Sequence, residues 1–346
     1  MLIEYVCGTA ALASFAAGYV EPLLGIGGGW IMLLLLGGVA LVHIVGVSEA
    51  LGFSLIIAGI AIAGIIVFSV AAVPHLEWSR LRDIPPGAGY SAWFPAGLRG
   101  AWAALPFSVT FFITLEGVPF AAEEASNAKR DIPLAMLGTL AIGAISAIAV
   151  SVLGPAAAGA ITLSGAPDPL EQALRTLHSE HAAVLGKLVE CAASASLVAS
   201  VFGGIFASSR ILFHLGRLGA VPRWLARTNR RGAPWLAVLL SAATAAVFAR
   251  EADSAQLVVL FVFSATLLYL LLLLSHLVLR LREADALRPF RSPGGLFLPI
   301  FGAALAGITF IACFLADVRW SLVGILLSVG VAALLFVSER RSGQAA

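Results

Sequence analysis

Residues 101–124 read AWAALPFSVTFFITLEGVPFAAEE, and the fold turns on how that stretch sits in an apolar environment. Up to Ala122 it carries one ionisable side chain, Glu116, and it is about as long as the 20 or so residues that cross a hydrocarbon core about 30 Å thick. Three features hostile to a continuous helix then fall together, for Glu116 and Gly117 lie inside the apolar block and Pro119 follows two residues on. Glycine is entropically costly in a helix, while proline removes a donor and pushes its predecessor out of helical geometry yet suits the first turn of a new helix. The sequence therefore predicts a helix that stops near Leu115 and restarts near Val118. In lipid such a break is tolerated only where the freed carbonyls and amides face protein or a water-filled cavity. Were the span instead to end at Leu115, leaving Glu116 at the interface with Glu123 and Glu124, about 15 residues would remain, short of a crossing.

Working outward, blocks of the same length and character fill the chain. Its 346 residues are 60% hydrophobic and 12% charged, with a mean hydropathy of +1.00, against roughly 25% charged residues in soluble domains. Apolar blocks predict ten spans, at 2–20, 30–47, 50–73, 101–122, 133–153, 184–208, 234–249, 256–279, 297–316 and 320–338. The expected fold class is all-α, a polytopic membrane helical bundle forming a single integral membrane domain over 1–346. A net charge of +2, with basic residues in short clusters between apolar blocks, argues against a nucleic-acid partner and for the lipid bilayer. Placing the clusters Lys129–Arg130, Arg210–Arg231, Arg280–Arg291 and Arg340–Arg341 inside puts both termini in the cytoplasm, as expected for the cell membrane. The first block lacks the basic lead and cleavage site of a signal peptide and reads as a retained span.

Cys7, Cys191 and Cys313 lie in apolar segments without CxxC spacing or a nearby histidine, so neither a disulfide framework nor a metal site is expected. The connection 74–100, with Trp78, Trp93 and Pro85–Pro86, suits an interfacial loop anchored by aromatics. In DPLEQALRTLHSEH, residues 168–181, Leu170, Leu174 and Leu177 recur at helical spacing and predict a short helix lying on the outer surface.

A carboxylate inside a span costs roughly 2.5 to 3.5 kcal/mol, and Glu116 is thereby a candidate site whose natural partner is a cation. Carbonyls ending the first half-helix add partial negative charge, and Phe111 and Phe112 offer ring faces to a protonated amine. Broken helices near the midplane are where transporters hold substrate and coupling ion. Elsewhere the signals are weaker. Glu190 has Lys187 one turn earlier, an ordinary i, i+3 pair. Ser194, Ser196, Ser200, Gly203 and Gly204 read as a close-packing stripe, and His43, His214 and His276 as interfacial residues. GIGGG at 25–29 lacks the GKS or GKT of a phosphate loop, and HExxH and GxSxG are missing, so no catalytic residue or cofactor is expected.

EGVPFAAEEASNAKRDIP, residues 116–133, resembles the sixth-span signature of the amino acid–polyamine–organocation (APC) permeases, and its EGVP and AAEE resemble the ethanolamine permease branch. SSRILFHLGRLGAVPRWLARTNRRGAP (208–234) and RPFRSPGG (288–295) are similar to later loops of that superfamily, in the same order and at similar spacing. The resemblance implies a five-plus-five inverted-repeat transporter with Thr110, Phe111, Ile113, Glu116 and Gly117 at the substrate site or gate and Gly204 facing the same cavity. It implies a small amine or amino acid as substrate, moved by alternating access with a coupling proton or ion. It also makes residues 1–20 similar to the family's third span, leaving the first two without a counterpart; a non-transporting remnant or interaction protein is the alternative expectation.

Overall fold

The structure, a computed structural model, describes residues 1–45, 50–121, 125–166, 168–177, 181–283 and 294–343. Among them all regular structure is helical: α1 (Leu2–Leu24), α2 (Gly28–Val45), α3 (Ala50–Ala72), α4 (Gly97–Val109), α5 (Ala128–Ile148), α6 (Gly154–Ala158), α7 (Ala160–Leu163), α8 (Pro169–Arg175), α9 (Ala182–Arg217), α10 (Trp235–Glu251), α11 (Ser254–Arg282), α12 (Phe297–Ala316) and α13 (Val318–Gly343). Eight stretches of the described residues are long and apolar enough to cross a membrane, and α10 and α13 add two further long helices. The chain is a polytopic helical bundle.

Helix α1 is the hub, packed against α2, α9, α10 and α11. Its sequence explains the position, because Gly8, Ala10, Ala11, Ala13, Ala16 and Ala17 keep its surface low enough for neighbouring backbones to approach. The ring of Phe261 lies only 3.0 Å from where a Cβ on Gly8 would stand. Around α1 the main core gathers Leu36, Val201, Ile205, Ala245, Leu257, Leu260 and Phe263. By contrast, only 6% of the apolar window through α5 and 11% of that through α4 is buried within the molecule.

Several helices outrun their sequence-derived spans. Helix α9 continues past Ser208 to Arg217, about 54 Å at 1.5 Å per residue, running through Gly216 and ending before Gly219, which takes φ 74°. Arg210 and Arg217 lie over the rings of Phe206 and Phe213, at 4.7 and 5.9 Å. Helix α8 forms within the predicted segment, but its apolar face turns onto protein rather than lying on the outer surface. Leu174 and Leu177 pack with Phe68 and Val189 in a second core. The connection 74–100 is tied down by the backbone bond from Glu77 to Ala156 (2.9 Å) and by the Asp83 carboxylate, which accepts from the Ile161 amide at 3.2 Å. Trp78 and Trp93 project outward, with Arg82 over the Trp93 ring at 5.1 Å.

Candidate functional site

The span through residues 101–122 is interrupted, and the interruption opens upstream of Glu116. Helix α4 ends at Val109, a 3-10 turn covers Thr110–Phe112, Ile113 is extended, and a longer 3-10 run occupies Leu115–Ala121. Between them Thr114 takes φ 76°, the one non-glycine residue with positive φ among the described residues. An α-helix does not restart at Val118, and Pro119 sits inside the 3-10 run. Glu123 and Glu124 lie outside the described residues, as do Arg288–Pro293 of the later motif.

Glu116 is half-buried and accepts a hydrogen bond from the Tyr269 hydroxyl of α11 at 2.5 Å. The Thr114 backbone lies beside the same hydroxyl. From α1, the Tyr5 hydroxyl reaches the same place, 2.7 Å from where a Cβ on Gly117 would stand, so Gly117 leaves the room that this ring occupies. The residue before Tyr5 on α1, Glu4, is wholly buried. Both Glu4 oxygens and Glu116 Oε1 are buried with no hydrogen-bond donor among the described residues. The Met1 nitrogen lies 3.5 Å from Glu4 Oε2. The Glu116 carboxyl and two phenols thus meet where the interrupted span lies against α1 and α11, an arrangement that suits a positively charged group.

The other candidates divide. Ile113 is buried in the main core, whereas Phe111 and Phe112 are 44% and 38% exposed and Thr110 donates to the Phe107 carbonyl at 2.5 Å. Gly204 is a packing contact, since a Cβ there would overlap the Thr9 hydroxyl of α1. Glu190 is buried and forms no ion pair with Lys187 among the described residues. His43 is buried in protein: it is 2% exposed, its Nε2 lies 3.0 Å from the Phe202 carbonyl, and its ring is tilted against Phe202 with centroids 3.9 Å apart. Sequence reasoning missed Glu4, Tyr5 and Tyr269. Glu4 carried a usable signal, an acid inside an apolar block; the tyrosines did not, because nothing local marks which helix faces Glu116.

This architecture is that of a polytopic helical membrane protein with a carboxylate on an interrupted span. The chain belongs to the amino acid permease family, whose profile matches residues 2–338. It is similar to the branched-chain amino acid permease BcaP of Lactococcus lactis subsp. cremoris, 24% identical over 226 residues, 63% of this chain and 48% of the relative. It is also similar to the methylthioribose transporter of Bacillus subtilis, 22% identical over 299 residues (86% of this chain, 61% of the relative). A third relative is the uncharacterized transporter R00093 of Rhizobium meliloti, 30% identical over 234 residues (65% and 47%). Those matches cover about half the length of the curated relatives.

Proposed function

We propose that this chain forms the larger part of a secondary transporter that moves ethanolamine or a related small amine or amino acid across the cell membrane by alternating access, with Glu116 facing the ammonium group. The observation that carries this is the Glu116 carboxyl, held by Tyr269 on an interrupted span, with one oxygen lacking a donor among the described residues. Membership of the amino acid permease family supports transport, and the EGVP and AAEE sequence supports the amine. Thr110, Phe111, Ile113 and Gly117 complete the proposed substrate side or gate, and Gly204 acts by letting α9 close on α1. Both termini lie in the cytoplasm under this reading, and a proton or other ion supplies the coupling.

One observation favours a second reading. The interrupted backbone at 110–119 is partly exposed, and irregular backbone in a membrane is stable only against protein or water. A further helical segment covering α4 and α5 fits that face, so the chain by itself would be a non-transporting remnant. Uptake of labelled ethanolamine, competed by amines and amino acids, into proteoliposomes tests both readings. The proteins compared are this chain, its Glu116→Gln variant and a form extended to any upstream in-frame start. Uptake by this chain that drops roughly 10- to 100-fold in Glu116→Gln, the effect of losing a charged hydrogen-bonding partner, supports the first reading. Uptake by the extended form alone supports the second, and uptake indifferent to Glu116→Gln overturns the role of that carboxyl.

A further inference from the structure

We propose that the connection from α9 to α10, residues 218–234, together with the last turns of α9, forms a docking surface for the phosphate headgroups of anionic phospholipids. From Cys191 to Arg250 the chain holds no aspartate or glutamate, yet Arg210, Arg217, Arg223, Arg227, Arg230 and Arg231 all fall within that stretch. These arginines are exposed, and none of them forms an ion pair among the described residues. Arg210 and Arg217 rest over the rings of Phe206 and Phe213, and Arg231 donates to the Val45 carbonyl that ends α2. Arg223, Arg227 and Arg230 carry their charge at the surface without a carboxylate to balance it.

The protein holds this surface in shape by itself. Leu225 is buried, and the Ala226 backbone nitrogen comes to 3.0 Å from where a Cβ on Gly216 of α9 would stand. The Asn229 amide donates to the Ala233 carbonyl at 2.9 Å, and the Asn229 side chain donates to the Ile44 carbonyl at 2.7 Å. Three helix ends therefore meet beside the arginines, α2 at Val45, α9 at Arg217 and α10 at Trp235. Because α2 and α9 are long and apolar enough to cross the bilayer, their shared end lies at headgroup depth. Leu218, Trp224 and Trp235 are exposed among the charges, and that mixture of apolar and aromatic side chains suits the membrane interface better than a soluble polyanion. Clusters of roughly four to eight basic residues beside a span attract anionic lipid, and the guanidinium fork matches a pair of phosphate oxygens. The surface is independent of Glu116 and of whatever is transported.

Native mass spectrometry of the purified full chain, taken from an equimolar mixture of phosphatidylglycerol and phosphatidylcholine, reads which lipid stays bound. The wild type is expected to retain phosphatidylglycerol preferentially, and the joint change Arg223→Gln, Arg227→Gln and Arg230→Gln is expected to lower that preference about tenfold. Arg223→Lys, Arg227→Lys and Arg230→Lys together keep the charge and should keep most of the preference. Removing the same charge from exposed positions elsewhere, by Arg99→Gln, Arg250→Gln and Arg319→Gln, should leave it nearly unchanged. The surface is overturned if the wild type shows no preference, or if the lysine set loses as much as the glutamine set at the same positions. It is also overturned if both glutamine sets lose equally, which would make net charge the cause. Release of the lipid by inorganic phosphate at equal concentration would reassign the arginines to a small anion. Release by a short oligonucleotide would reassign them to nucleic acid, and either result overturns the lipid surface.

Discussion

At the scale of single residues, Thr114 and Tyr269 carry most of the consequence. Thr114 holds a left-handed backbone that costs a β-branched residue about 1 to 3 kcal/mol, and the interruption keeps it there. Thr114→Gly relieves that cost and gives back part of it as chain entropy, so the variant should gain about 1 kcal/mol and melt a few degrees higher in detergent. An unchanged or lower midpoint would show that the Thr114 side chain stabilises the turn. Tyr269→Phe removes the hydroxyl that Glu116 accepts from, and amine binding or uptake should weaken roughly 10- to 100-fold with the melting midpoint nearly unchanged. An equal loss of stability and function would assign Tyr269 to packing instead. Glu116 was legible because an acid inside an apolar block is conspicuous in any sequence. Its companions were not, since Tyr269 lies 153 residues away and only the packing of α11 against the broken span brings them together.

At the scale of elements, composition fixed where helices form more reliably than where they end. The apolar blocks locate the long helices, yet α9 and α11 run beyond theirs to Arg217 and Arg282, because a helix does not have to stop where its apolar block does. Predicting a helix in residues 168–181 succeeded on periodicity, while its partner was misjudged because periodicity does not distinguish lipid from a neighbouring helix. The α1–α9 contact is tight at Gly204, where a Cβ would meet Thr9. Gly204→Ala should cost about 1 to 3 kcal/mol by overpacking, and Thr9→Ala in the same chain should recover most of it. A double-variant cycle in thermal unfolding measures this, and additive losses would mean that the two helices part rather than clash. The connection from α9 to α10 is pinned in a comparable way. The Asn229 side-chain amide donates to the Ile44 carbonyl at 2.7 Å, while its oxygen accepts from the amides of Arg231 and Ala233. Asn229→Ala should make this connection markedly more sensitive to protease without changing the helix content measured by circular dichroism.

At the scale of the whole molecule, the hub and the broken span lie far apart in the chain and depend on each other. The residues between Glu4 and Glu116 number 116 − 4 − 1, or 111, and Tyr269 follows only after α9 and α10. At roughly 5 to 20 residues per second, synthesis of the segment up to Tyr269 takes on the order of 13 to 53 s. Throughout that interval α1 has reached the bilayer with a glutamate among its apolar residues, while the helices that enclose it, α9, α10 and α11, are still unmade. A buried acid in the hub thus sets a timetable: α1 must be sheltered by the insertion machinery, or carry its acid uncharged, until the late helices arrive. Carrying that buried acid makes α1 the helix most exposed to quality control, so changes in α11 should reveal themselves first as loss of the whole chain during biogenesis.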